Sequence, residues 1–232
     1  MLKIEPNNWE PFCDEFENKV FSLTRFSHRR RQILTRITEG TVLNLGCGCT
    51  NHLNRALISQ NNTVIATDFC KKMLRKAKED YKHEKLKHAI TDSRNLKFKD
   101  ETFNSVISVN SLLPEKRSDV KKILKEVHRV LKPKGVFVAF LTAFDSVQKA
   151  VTNLGLQLQL DHEQKRVQDT TGWQCFHDHT TIGKEMRQAG FENYIYEKVF
   201  LDSEEEKNEL RRLYNVNTEE SLIYEYLLVA KK

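Results

Sequence analysis

The chain has 232 residues, of which 39% are hydrophobic and 30% charged. That is enough for one α/β domain with a full core and a modest addition, and it excludes both a disordered chain and two ordinary enzyme domains. The net charge of +6 and pI near 9.0 would suit an acidic partner, but 38 basic residues are interleaved with 32 acidic ones, and only His28–Arg31 is a compact basic cluster.

Residues 8–39 carry Trp9, Phe12, Phe16 and Val20, then Phe26, Ile33, Leu34 and Ile37, at helical spacing with a break near Ser22–Thr24. Two helices are expected, closed by Gly40. Strands and helices then alternate. Strands are expected at Thr41–Leu45, Thr63–Thr67, Leu86–Thr91, Thr102–Val109 and Val136–Leu141, and helices at Asn51–Ser59, Cys70–Asp80 and Ser118–Leu131. Lys132–Gly135 reads as a turn. This alternation predicts a doubly wound α/β fold, a parallel sheet covered on both faces. Asp145–Gly155 reads as helical, while Leu156–His179 shows no clear period. A helix at Thr181–Gln188, a strand at Phe191–Val199, a charged helix at Ser203–Leu213 and a strand at Ser221–Ala230 complete the expectation.

The five cysteines are an odd number, and the spacing of Cys47 and Cys49 fits neither a CxxC redox pair nor a zinc knuckle, so they read as small apolar residues. The segment Met1–Pro6 lacks the basic and apolar blocks of a signal peptide, and no apolar run approaches membrane-spanning length. A cytoplasmic protein with no membrane partner is expected.

Chemistry concentrates at TVLNLGCGCT, residues 41–50. A buried strand runs into Gly46, Cys47 and Gly48 and then a helix, which leaves bare amide N–H groups for a ligand to lie against. Asp68 ends the second strand, 22 residues after Gly46, where a carboxylate can accept the hydroxyl protons of a ribose or, alternatively, cap the next helix. Asp92 and Ser93 end the third strand, where a carboxylate can accept from an adenine amino group. A loop-start aspartate is the plainer alternative. Asn110 and Ser111 end the fourth strand at the floor of the same crevice. A dinucleotide fingerprint would need glycine at Asn51, so something smaller than a pyrophosphate is expected in the turn.

Here the chain resembles the class I S-adenosylmethionine-dependent methyltransferases with "VLDLGCGTG" turns. The resemblance rests on VLNLGCGCT (42–50), DFCKKMLRKA (68–77), TDSRNLKFKDETFNSVISVNSLL (91–113), KKILKEVHRVLKPKGVFVAF (121–140) and MRQAGFENY (186–194). It implies a Rossmann-like seven-stranded sheet in the order 3-2-1-4-5-7-6 with S-adenosylmethionine as cofactor. A catalytic domain is expected at 41–232 with a substrate-side insertion at about 142–180, and the N-terminal aromatics at 1–40 read as packing onto the sheet domain or as a helical cap or lid over the cofactor. Implied cofactor residues are Asn44, Gly46, Cys47 and Gly48 at the turn, Asp68, Phe69 and Met73 beside the ribose and base, Asp92 and Ser93 at the adenine, and Asn110 under the sulfonium. The chain departs from the family at Asn44 (usually Asp), Thr50 (usually Gly), Asn104 and Lys134. A loss of ~1–2 kcal/mol at such positions would cost about tenfold in affinity.

Methyl transfer from a sulfonium is a direct displacement, so the enzyme chiefly has to hold the acceptor in line and exclude water. A base is expected in the segment 161–179. His177 and His179 are the catalytic candidates, with His162 as an alternative. The pattern His177, Asp178, His179 is read as a helix cap and surface polar residues rather than a metal site, and no metal is expected. Trp9, Phe16, Trp173 and Phe176 are the candidate substrate-binding aromatics. The expected activity is methylation of nitrogen or oxygen on a small-molecule acceptor. RNA is the less favoured acceptor, a non-catalytic S-adenosylmethionine-binding partner protein is the third reading, and the oligomeric state is open.

Overall fold

A computed structural model of the chain describes residues 9–14, 23–155, 158–169, 171–200, 204, 208 and 223–232. Strands β1 (Thr41–Leu45), β2 (Thr63–Asp68), β3 (Leu86–Ile90), β4 (Phe103–Val109) and β5 (Leu131–Thr142) pair in parallel. β10 (Tyr224–Lys231) runs antiparallel between β5 and β9 (Asn193–Phe200). The seven-stranded order is β3-β2-β1-β4-β5-β10-β9, the order expected from the family resemblance, with the last strand antiparallel.

Burial on both faces explains the apolar runs. Leu43, Val106, Phe137, Tyr226 and Leu228 share one core with α4 (Arg117–Val130) and α6 (His179–Ala189). Val42, Val64, Ile107, Val138, Phe140 and Leu227 share the other with α2 (His52–Ser59) and with Ile33 of α1 (Leu23–Leu34). A strand covered on both sides has no solvent face, so β5 shows a continuous apolar run rather than alternation. Ile33 thereby places the end of α1 in the body of the domain.

Three expectations need correcting. Lys132–Gly135 is part of β5 rather than a free turn: Lys134 N–H donates to the Lys232 carbonyl and Lys232 N–H to the Gly135 carbonyl, both at 3.0 Å. The register breaks between Phe103 and Ser105, and Lys134 takes φ 64°, the left-handed conformation that favours glycine. The stretch after α5 (Phe144–Leu154) forms a second sheet from β6 (Gln159–Asp161), β7 (Arg166–Asp169) and β8 (Gly172–Cys175). Its hairpin turn is held by polar contacts, Gln164 N–H to Asp161 Oδ1 at 2.9 Å and Arg166 Nη2 to Asp161 Oδ2 at 2.6 Å, which leave no apolar periodicity to detect. The helix expected at Thr181 starts at His179, because Asp178 is its N-cap and Thr181 completes a capping box. α3 (Lys71–Asp80) and the short 3-10 helix Pro11–Asp14 complete the elements used below. The helix expected at Ser203–Leu213 lies outside the described residues.

Candidate active site

The carboxyl ends of β1 to β5 open onto one crevice, and the order reverses at the β1/β4 boundary, where ligands of open α/β sheets bind. At that boundary Gly46 and Gly48 adopt φ 69° and 63°, and Cys47 N–H donates to the Thr67 carbonyl at 2.9 Å. A Cβ on Gly46 would collide with Cβ of Ser111. Ser111 is itself held there, its hydroxyl donating to the Leu45 carbonyl at 2.6 Å.

Asp68 joins the turn to the next helix. Its Oδ2 accepts from Gly48 N–H and its Oδ1 from Cys70 N–H, each at 2.9 Å. Burial pushes its carboxyl above the usual aspartate range, partly offset by the backbone N–H donors of Cys70, Gly48 and Phe69. Beside it Phe69 and Ile90, at the ends of β2 and β3, are 40% and 54% exposed, an apolar rim on the crevice. Cys47 is half-buried beside this carboxylate; burial first, then the charge of Asp68, raises its thiol. Met73 does not reach this rim. It is buried with Cys13, Cys49 and Cys70, and half-buried Trp9 packs on that group.

Asp92 is held by Arg94, whose Nε and Nη2 reach its carboxylate at 2.8 to 3.0 Å while the Arg94 N–H donates at 2.9 Å. Burial raises the Asp92 carboxyl, but these hydrogen bonds outweigh it and its pKa is lowered. Ser93 follows in the same half-exposed turn. At the end of β4, Asn110 sits at φ 47° with its N–H on the Phe140 carbonyl at 2.9 Å and its Nδ2 on Glu225 Oε1 at 2.7 Å. Glu225 is also gripped by Arg29 of α1, through Nε at 2.7 Å and through Nη2. Arg29 was read only as part of the basic cluster His28–Arg31, and Glu225 was not singled out from the sequence. The available signal was one carboxylate in the otherwise apolar run YEYLLVA.

Asn44 faces the other way. Its Nδ2 donates to Asn54 Oδ1 at 2.8 Å, Asn54 Nδ2 donates to Asn51 Oδ1 at 2.9 Å, and Asn51 Nδ2 donates to the Ala77 carbonyl at 2.7 Å. The position at which a dinucleotide fold needs its third glycine is thus filled by a buried asparagine that ties α2 to α3.

The two catalytic candidates are placed differently. His177 is 1% exposed, with Nε2 3.0 Å from the Leu112 carbonyl and Nδ1 3.8 Å from Glu185 Oε2. Its N–H donates to the Thr142 carbonyl at 2.9 Å, so it abuts the end of β5. His179 is exposed at the start of α6. His162 packs edge-on against Phe144. Trp173 is half-buried under the Arg166 guanidinium, 5.0 Å from its ring centre. Half-buried Phe176 contributes its carbonyl to Arg117. Phe16 lies outside the described residues. Among the described residues no cluster of three His, Cys, Asp or Glu side chains could hold a metal ion.

Three oxygens at these strand ends, Thr91 Oγ1, Asn110 Oδ1 and Thr142 Oγ1, are buried without a hydrogen-bond partner. Orphaned acceptors of this kind need a donor or cation from elsewhere. Together with a glycine cradle and a buried carboxylate, they fit a ligand bearing hydroxyl, amino and cationic groups.

Comparison with known proteins agrees with this crevice. Residues 43–139, from β1 into β5, match the family described as methyltransferase domain. A Pyrococcus horikoshii protein has the same fold, with a TM-score of 0.71 at 22% identity over 94% of this chain and 98% of that one. So does an S-adenosylmethionine-dependent methyltransferase from Mesorhizobium loti, with a TM-score of 0.66 at 18% identity over 88% and 96%. The mitochondrial arginine-hydroxylase NDUFAF5 of Danio rerio is 23% identical over 76% of this chain, and the match covers 56% of that relative's length. Residues 43–139 thus match a methyltransferase domain, and such domains in S-adenosylmethionine-dependent methyltransferases take S-adenosylmethionine as cofactor. Among the described residues no helix is long and apolar enough to cross a membrane.

Proposed function

We propose that the protein methylates nitrogen or oxygen of a small-molecule acceptor in the cytoplasm. The observation that carries the cofactor half of this reading is the Gly46–Gly48 turn bonded to a buried carboxylate, Asp68, at the end of the adjoining strand. Gly46, Cys47 and Gly48 would cradle the methionine portion, Asp68 the ribose hydroxyls, Phe69 the ribose and base, and Asp92 with Ser93 the adenine. Asn44 supports the turn from behind, through Asn54. When bound, the cofactor supplies an electrophilic methyl on a sulfonium. The residues of this chain orient the partners and keep water out.

The second sheet supports a small acceptor. Cys175 N–H donates to the Pro114 carbonyl at 2.9 Å and the His177 ring meets the Leu112 carbonyl, so β8 is fastened to the loop that follows β4. That makes a wall carrying Trp173 and Phe176, and residues 1–40, with Trp9 and Phe16, are proposed as a cap over the cofactor. We assign His177 as the base at the β5 end, with His179 as the solvent-facing alternative.

Calorimetry with S-adenosylhomocysteine tests the reading: Asp68→Ala should weaken binding about tenfold or more, as loss of hydrogen bonds to a charged group does. Unchanged affinity rejects the assigned site. RNA as acceptor is the second reading, favoured by exposed Arg30 and Arg31 on α1. Retention on RNA that falls steeply with salt supports it, and no retention at low salt removes it. Binding without turnover of any acceptor would instead favour a non-catalytic partner protein.

A further inference from the structure

Three thiols from separate stretches of the chain meet beside the crevice. Cys13 lies in the short 3-10 helix Pro11–Asp14, Cys49 follows the glycine turn, and Cys70 is the N-cap of α3. All three are buried in one group with Met73, and half-buried Trp9 packs on it. No disulfide joins them. Cys13 is close enough to Cys70 for a charge on it to act on the Cys70 thiol. The same segment is held to α3 a second time, where Lys76 Nζ donates to the Cys13 carbonyl at 3.1 Å. None of the three side chains has a part in the proposed methyl transfer.

We propose that Cys13 and Cys70 are a redox modification site, which a peroxide oxidises to a disulfide that clasps the N-terminal segment to α3. Burial chiefly raises the Cys70 thiol and shields it, while the N–H groups of Met73 and Lys72 at the start of α3 act the other way. A one-turn 3-10 helix outside the sheet opens locally at far lower cost than the sheet itself. Opening removes the shield and leaves Cys70 beside those N–H groups, where a thiolate is stabilised. The Cys70 thiolate attacks one peroxide oxygen. The O–O bond breaks, Cys70 becomes a sulfenic acid, and hydroxide leaves as water with the proton that the thiol gave up. As the segment closes again, the Cys13 sulfur displaces the hydroxyl: the S–S bond forms, the S–O bond breaks, and the Cys13 proton leaves with that oxygen as a second water. Two thiols lose two electrons in all, and one peroxide gains them. The clasp closes against the residues that fix Asp68, since Cys70 N–H bonds its Oδ1 and Cys49 adjoins Gly48, whose N–H bonds its Oδ2. In a reducing compartment such a pair is transient, as a sensor requires.

The test is disulfide mapping by mass spectrometry on the full chain, treated with hydrogen peroxide and digested without reduction. One linked pair is expected, Cys13 with Cys70, and dithiothreitol should reverse it. A link from either residue to Cys49, or no link in folded protein, overturns the site. Amide hydrogen exchange gives the clasp its own readout: residues 9–14 should exchange at least about tenfold more slowly after oxidation. Unchanged exchange in the linked protein removes the clasp. Cys13→Ala keeps a small apolar side chain outside the sheet, and in it peroxide should leave Cys70 as a sulfenic acid that dimedone traps. Trapping at Cys13 in Cys70→Ala, with none at Cys70 in Cys13→Ala, would overturn Cys70 as the attacking thiol.

Discussion

At the scale of single residues, the departure from the family at Asn44 is matched by a partner rather than tolerated as a blemish. Asn44 donates into a chain of asparagines that ends on the Ala77 carbonyl, which can only accept, so the direction of every bond in the chain is set. Asn44→Asp would oppose two acceptors or force the chain to reverse against that carbonyl. It should cost about 1–3 kcal/mol in denaturant unfolding, the penalty of an unsatisfied buried polar group; a loss under about 0.5 kcal/mol would show that the chain of asparagines is not directional. Asp68 makes a prediction about pH. Its carboxyl is raised by burial, and in the proposed role it accepts both ribose hydroxyls best when ionised. Affinity for S-adenosylhomocysteine should therefore begin to fall at a higher pH than the ordinary aspartate value of about 4, as protonation sets in through the raised pKa. A titration that breaks only below that value contradicts the role.

Among the elements, α6 is fastened by the residue that precedes it. Asp178 accepts from the N–H groups of Thr180 and Thr181 and from both hydroxyls. Burial raises its carboxyl, but these donors and Lys165 outweigh it and hold the pKa down to about 2. A depressed folded pKa gives stability that is present above the unfolded value of about 4 and lost as pH falls from there toward about 2. Asp178→Ala should thus lower stability by about 1 kcal/mol at neutral pH and flatten the stability curve across that acid window. Equal slopes in variant and parent between these limits would remove the cap from the account. The capping signal was present in His177–Thr181, yet the helix start was expected two residues late, because Thr181 is both cap-box partner and a plausible cap. The β6–β8 sheet shows the harder case: its strands are three or four residues long and pinned by Asp161 and Arg166, so periodicity had nothing to register.

For the molecule as a whole, ligand binding should be visible as stability. At a hundredfold excess over its dissociation constant, S-adenosylhomocysteine should stabilise the fold by about 2.7 kcal/mol, roughly 5–10 °C in the melting temperature of a domain this size. A dinucleotide should produce no such shift, since Asn51 fills the place its pyrophosphate turn would need. An equal shift with NAD would contradict this.

The parallel core, the glycine turn and Asp68 were legible in the chain because they are local. A buried strand, a left-handed turn and a carboxylate at the next strand end all write themselves into contiguous residues. The order of the sheet came from resemblance rather than from spacing, and the structure bears it out. What stayed hidden depends on contacts between distant segments. Arg29 and Glu225 are 196 positions apart and Asn110 and Glu225 are 115 apart, so no window of sequence contains the pair. The turn around Gly46–Gly48 could be read as a cofactor cradle from its residues alone. That Asn110 at the end of β4 is tied through Glu225 to Arg29 was decided only when α1 and the last strand met across the sheet.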